Sequence, residues 1–163
     1  MTVLGTRRFR GASAVGLLAV SALGLSACGT DEAPLGSTQW QVTSVFDASN
    51  RPHQLAESLQ GRSFLVFGED SFTGASGCIS LSGDLQWNED ASEMSIGEVH
   101  SEEFGDARCV PGDEDVADRL SSVLRDGTLH VSRPSDTSLR LQRVDPDSPQ
   151  WQATGSVEFI SGA

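Results

Sequence analysis

The chain has no lysine. All 11 of its basic residues are arginine, and they face 23 carboxylates for a net charge of −12 over 163 residues. Phosphate backbones and anionic lipid heads are held by clusters of Lys and Arg. Nucleic acid is therefore not an expected partner, and charge is not expected to bring the chain to a membrane. Histidine is scarce: His53, His100 and His130 stand singly, whereas zinc sites usually gather four ligands. Long apolar runs are missing too. The run from Gly11 to Leu25 spans about 15 residues, short of the roughly 20 a helix needs to cross hydrocarbon. Cysteine is limited to Cys28, Cys78 and Cys109. No motif calls for a cofactor, and none is expected. The acidity is read first as a source of solubility and only second as a means of recognising a partner.

What is present begins at the front. Arg7, Arg8 and Arg10 precede the apolar run, which ends in Leu25-Ser26-Ala27-Cys28. A positive region, a short apolar region and a small-residue cleavage site make a secretory signal peptide. The cysteine at the new N-terminus makes the site a lipobox, similar to that of bacterial lipoprotein precursors. The expectation is a cleaved signal peptide over 1–27 and a lipid anchor on Cys28, where two or more acyl chains give stable attachment at about 0.8 kcal/mol per buried methylene. Arg7-Arg8 is a poor match to a twin-arginine signal, so the general secretory route is expected. Cleavage removes three of the 11 arginines and leaves eight against 23 carboxylates, a net charge of −15. The location implied is the cell membrane, lipid-anchored, on its extracytoplasmic face.

With Cys28 committed to lipid, Cys78 and Cys109 form an even pair in a chain leaving the reducing cytosol. A bridge between them would close a loop of about 30 residues and contribute roughly 3–4 kcal/mol. A metal pair or a reactive thiol are the alternatives. The chain then divides as 1–27, the signal peptide; 28–38, the lipidated cysteine and a flexible tether rich in small and acidic residues; 39–144, a folded domain; and 145–163, a C-terminal tail or edge strand. The tail is favoured for the last, because chain ends fray.

Strand signals run from Gln39 to Phe46, with a phase shift at Ser44-Val45 that suggests a bulge. They continue from Arg62 to Gly68 and from Ser71 to Ala75, across a Gly68-Glu69-Asp70 turn. Ile79, Leu81, Leu85 and Trp87 alternate with period two, interrupted at Ser82-Gly83-Asp84. Glu93 to Val99 follows a turn at Asn88 to Asp90. Val116, Leu120, Val123 and Leu124 carry helical spacing, which predicts a helix over Glu114 to Arg125. Carboxylates sit at its start, an Asp115–Arg119 pair lies on its surface, and Gly127 should be its C-terminal cap. Thr128 to Ser132 and Thr137 to Arg143 read as a hairpin across Arg133 to Asp136, with Leu129, Val131, Leu139 and Leu141 inward. The fold class is α+β: a curved, partly barrel-like antiparallel sheet of about 6–8 short strands with one packed helix.

From about Gln39 to Val144 the chain resembles the META/HslJ family of small envelope-associated domains. The resemblance is carried by the opening Trp40 in WQV, the LVF strand at Leu65 to Phe67, the segment from Phe72 to Leu85 with its Gly74-x-x-Gly77-Cys78 core, Cys109 and the helix after it, and the closing LHV and LRL strands. Ile79 stands where the family usually has Asn. Phe104 to Arg108 stands where the family has a stretch rich in Thr and Met. The resemblance implies no catalytic residues. It implies a link to envelope stress tolerance, and related barrels hold an apolar ligand.

Several residue groups invite a chemical reading. Ser76 lies between glycines, but a nucleophile elbow needs Gly-x-Ser-x-Gly and Cys78 stands where the second glycine should be; a turn is the simpler reading. Asp113-Glu114-Asp115 and Asn88-Glu89-Asp90 could hold calcium, yet neither has an EF-hand's alternating loop, and a helix start and a solvated turn account for them. Trp40, Phe67 and Trp87 could line a ligand cavity, although core packing is their default role. The expected function is a non-catalytic, lipid-anchored envelope domain, a monomer that binds an envelope protein or an apolar ligand. The alternative is an envelope hydrolase with an unrecognised Ser/His site.

Overall fold

A computed structural model describes residues 33–48, 51–105, 108–149 and 152–162. The expected signal peptide, Cys28 and the first part of the tether lie outside the described residues. Among the described residues are nine strands and one α-helix. In chain order they are β1 (Trp40–Phe46), β2 (Pro52–Gln54), β3 (Ser63–Phe67), β4 (Ser71–Ser76), β5 (Ile79–Trp87), β6 (Glu93–Glu103), α1 (Asp113–Leu124), β7 (Gly127–Ser135), β8 (Ser138–Arg143) and β9 (Ser156–Ser161). The class is α+β, as the sequence implies. The extra strand beyond the expected six to eight is the three-residue β2, and a single 3-10 turn at Glu57–Leu59 follows it.

Every pairing is antiparallel, and the sheet closes on itself. β1 bonds β3 through Trp40 and Gln41 and β2 through Ser44 to Phe46, while its other edge bonds β9. From β3 the order runs through β4, β5, β6, β7 and β8 to β9, and so back to β1. The anticipated irregularity of β1 falls between Val42 and Ser44, where Thr43 is the extra residue and its hydroxyl donates to the Glu158 carbonyl at 3.0 Å. Opposite the interruption in β5 the register with β6 shifts between Gly83 and Leu85, and the extra residue is on β6, at Gly97-Glu98. Gly83 lies opposite Phe72 with the Phe72 ring against it, so a side chain there would displace that ring.

Alternation fills the interior. Trp40, Leu65, Phe67, Phe72, Leu81, Met94, Leu129, Leu139, Leu141 and Phe159 are almost wholly buried. Phe67 packs near Phe72 and, edge-on, near Phe159, with ring centres 6.2 and 6.1 Å apart. α1 lies against β1, β4, β5, β6 and β9 and buries Val116, Ala117, Leu120, Val123 and Leu124, the stripe that helical spacing marks. Among the described residues no helix is long and apolar enough to cross a membrane.

Four expectations need correction. First, within 145–163 the strand β9 is neither a tail nor an edge. β9 is hydrogen-bonded on both sides, to β1 and to β8, and buries Val157 and Phe159. Its Val-x-Phe alternation outweighs the fraying of a chain end, because without it the ring would stay open. The folded unit therefore runs past Val144 to β9. Second, the tether does not stay free to residue 38. Residues 33–36 form a turn closed by Gly36 N–H to Ala33 carbonyl at 2.7 Å, and Leu35 joins the core.

Third, Gly127 is not the helix cap. Asp126 takes the left-handed conformation (φ 50°) and Gly127 begins β7. The helix end is held instead by Arg143, whose guanidinium donates to the carbonyls of Val123, Arg125 and Asp126 at 3.1, 2.9 and 3.1 Å. A cation at this end also suits the helix dipole. A side chain at position 127 would meet that guanidinium. Fourth, the β7–β8 turn is tighter and later than Arg133 to Asp136: pairing resumes at Ser135↔Ser138, after an irregularity around Pro134. Proline has no N–H to give a ladder.

Candidate functional site

The densest polar construction in the described residues joins the start of α1 to the rim of the ring. Ser76 ends β4, and Gly77-Cys78 turns the chain into β5. Gly77 is left-handed (φ 59°) and lies against the Asp113 carboxylate, so a Cβ there would collide with it. Asp113 opens α1 and is 1% exposed. Its carboxylate accepts two hydrogen bonds from Arg62, at 3.3 and 2.9 Å, one from the Val110 N–H at 2.9 Å, and one from the Cys78 N–H. Its backbone carbonyl accepts from the Ser76 hydroxyl at 3.1 Å, and that hydroxyl is 3.0 Å from the Ser63 hydroxyl.

The electrostatics follow. Burial alone would lift the Asp113 carboxyl above its ordinary range, but the Arg62 hydrogen bonds, the Val110 and Cys78 N–H groups and the Arg62 charge outweigh it. The carboxyl is held below the usual value. Arg62 is raised in turn, chiefly by its bond to Asp113. The Asp113 carboxylate and the Ser63 and Ser76 hydroxyls are all engaged within the cluster, so it is a lock between helix and ring rather than a reactive centre. Ser76 is fully buried, so a substrate cannot reach its hydroxyl, and no histidine adjoins it. The nucleophile reading has no geometric support.

The structure brings Cys78 and Cys109 together, with Sγ–Sγ 2.01 Å and Cα–Cα 5.0 Å across a separation of 31 residues. Cys78 is buried and Cys109 exposed. Glu103 Oε1 lies 3.4 Å from Cys109 Sγ. A disulfide sulfur has no proton to donate, so this is a contact and not a hydrogen bond. These three residues are close enough to ligate a metal, but both sulfurs are spent in the bridge. The bridge fastens the segment before α1 beside the same rim that Asp113 locks.

The other groups singled out in the sequence are dispersed. Asp90 accepts from the Ser92 N–H and hydroxyl at 3.0 and 2.6 Å, and the Asn88 amide oxygen accepts from the Glu93 N–H at 3.0 Å. These bonds, the Ser92 hydroxyl first, hold the Asp90 carboxyl below its ordinary value; it is a turn using its own acceptors. Asp115 pairs with Arg119 at 2.8 Å, while Glu114 faces a surface groove. Trp40 and Phe67 are core, and the Trp87 indole N–H donates to the Gly68 carbonyl at 3.0 Å. The buried Trp40 indole N–H has no acceptor among the described residues, and the Arg133 guanidinium lies 5.8 Å from its ring centre. His53 is 3.6 Å from Asp47. His100 is on β6 and His130 on β7.

Sequence reasoning missed Arg62. Nothing local marks it, since its partner is 51 residues away. The last four residues of β6 were also missed, because residues 100–103 have no apolar alternation.

No protein-family model matches the chain, and no curated protein does. Among solved structures, the chain is similar to the NMR structure of a protein from Burkholderia xenovorans. That likeness has a TM-score of 0.55 at 17% identity and covers 79% of this chain and 84% of that one. The crystal structure of a DUF4847 family protein from Bacteroides vulgatus ATCC 8482 gives a TM-score of 0.44 at 11% identity, over 76% of this chain and 92% of that one. At such identities the first likeness establishes the fold alone.

Proposed function

We propose that the chain is a non-catalytic, lipid-anchored protein of the cell envelope, META/HslJ-like, which binds a protein partner through its outer surface and serves tolerance of envelope stress. The observation that carries the anchoring is Leu25-Ser26-Ala27-Cys28 behind its arginine-led apolar run. Two features support the binding role over catalysis. The ring interior is occupied by Trp40, Phe67, Phe72 and Phe159, which directs recognition to the outside. The serine with the best local sequence for a nucleophile is sealed by Ser63 and Asp113.

The test is metabolic labelling with an alkyne fatty acid in a bacterial host, comparing the chain with its Cys28→Ser variant. Label and membrane fractionation should both be lost in the variant; retention of either by Cys28→Ser sinks the anchor. In-cell cross-linking should give a discrete protein adduct, and labelling of the chain by a fluorophosphonate would overturn the non-catalytic reading.

A further inference from the structure

Along one edge of β6, the stretch past Gly97 is met by no strand among the described residues. The inner edge of β6 pairs with β5 from Met94 to Glu103, but its outer edge pairs with β7 only over Glu93 to Ile96. The last bond on that side is Asp126 N–H to the Gly97 carbonyl at 2.9 Å. Beyond it, the Phe104 N–H donates to the Cys78 carbonyl on the β5 side. Backbone groups alternate sides along an antiparallel strand. The N–H and C=O groups of Val99, Ser101 and Glu103 therefore point outward, and among the described residues no strand meets them. All of this stretch except Val99 is exposed.

Beside this edge runs a groove of about 250 Å³ between β6 and α1. It is lined by Ser101, Glu102 and Glu103 of the strand and by Glu114, Ala117 and Asp118 of the helix, with Ile79 of β5 at its floor. Among the described residues no arginine or histidine forms an ion pair with any of the four carboxylates. The Cys78–Cys109 bridge and the Asp113 lock fix the helix start against the rim, so the groove walls are held before anything binds. A strand edge flanked by charge can be merely protected from aggregation. Protection needs charges on the strand alone, whereas here acidic residues of two elements line one cleft.

We infer that the outer edge of β6 from Val99 to Glu103 accepts an extended, lysine- or arginine-bearing segment of a partner protein as an added antiparallel strand. The partner's backbone meets Val99, Ser101 and Glu103, and its cationic side chains enter the acidic groove. Strand addition of this kind takes affinity from main-chain bonds and specificity from alternate side chains. A second copy of this chain is a poor occupant, since its net charge of −12 would bring an excess of carboxylates to the groove. The inference rests on the protein-binding reading above and names its surface.

The experiment uses the purified full chain and a fluorescent eight-residue peptide of alternating Lys and Val, with anisotropy as the readout. Binding is expected, falling as salt rises. Replacing Lys by Glu, or N-methylating alternate peptide nitrogens, should each weaken it by at least about tenfold. Glu114→Gln with Asp118→Asn should weaken it several-fold and flatten the salt dependence, while Glu89→Gln, in the Asn88–Asp90 turn, should change nothing. Ser101→Pro, which removes one outward N–H, should abolish it, with circular dichroism confirming the fold. No binding, or binding indifferent to N-methylation and to the groove carboxylates, overturns the inference and leaves the charges as guards of a bare edge. If the cross-linked envelope adduct survives Ser101→Pro, the surface is wrong while the protein-binding role stands.

Discussion

Replacing Asp113 by alanine tests whether the rim cluster holds helix to ring. The substitution leaves the backbone carbonyl, and hence the Ser76 bond, in place. It removes the acceptor for the Val110 and Cys78 N–H groups and for Arg62. The Arg62 side chain is about a third exposed, so water re-solvates it and that pair adds little. The two backbone donors are worse placed, because Cys78 is wholly buried and an unpaired buried donor costs about 1–3 kcal/mol. The expected loss is about 2–4 kcal/mol, or a fall in Tm of about 8–15 °C for a domain of this size. Asp113→Asn keeps one acceptor oxygen and should cost about half as much.

Acid supplies an independent check on that cluster. The folded carboxyl titrates below its unfolded counterpart. Its contribution is therefore complete above the unfolded pKa of about 4 and fades as pH falls through the folded value. The gap between the parent and Asp113→Asn in urea unfolding should be full at pH 7 and narrow below about pH 4. A Tm loss for Asp113→Ala under about 3 °C, or a gap unchanged between pH 7 and pH 3, refutes the lock.

Other outcomes follow from separate parts of the molecule. Reducing the Cys78–Cys109 bridge, or replacing both residues by serine, should cost roughly 3–4 kcal/mol by chemical denaturation, and intact mass should show a gain of two hydrogens on reduction. Arg143→Ala should cost about 1–2 kcal/mol by stripping three carbonyls at the end of α1, with Arg143→Lys recovering part; no measurable loss would deny it a capping role. Phe159→Ala should cost about 3–5 kcal/mol, whereas Ile160→Ser on the outer face should stay within about 0.5 kcal/mol. Truncation after Val144 should abolish cooperative unfolding, and a truncated chain that melts cooperatively would show that β9 is dispensable.

Periodicity made much of this fold readable. The odd-numbered apolar positions of β5 and the stripe of α1 report burial directly, because each residue's face is set by its distance along one element. The bulge of β1 was readable too, since the alternation shifts phase near Ser44. Burial patterns fail where backbone alone does the work. From His100 to Glu103, β6 is held by its ladder to β5 and buries nothing, so its residues look like a loop. β9 has a clear Val157/Phe159 alternation, yet only the closed ring shows that an interior place awaits it. Leu35 was hidden for the same reason, a lone apolar residue whose socket is built by distant strands.

The candidate surfaces divide along the same line. Acidic residues in sequence cannot say which of them face each other, and Asp113, Glu114 and Asp115 end up buried against Arg62, open on a groove and paired with Arg119. The bare edge of β6 is a product of topology. After Glu103 the chain leaves the sheet, is pinned at Cys109, turns into α1, and returns only at Gly127 to pair with Ile96. A connection that crosses over as a helix covers the ring's end but cannot supply a ladder to the last residues of the strand it left. Edges like this invite pairing, and the carboxylates on both walls set which strands can answer. Acidic segments are repelled, while a cationic strand satisfies backbone and charge together.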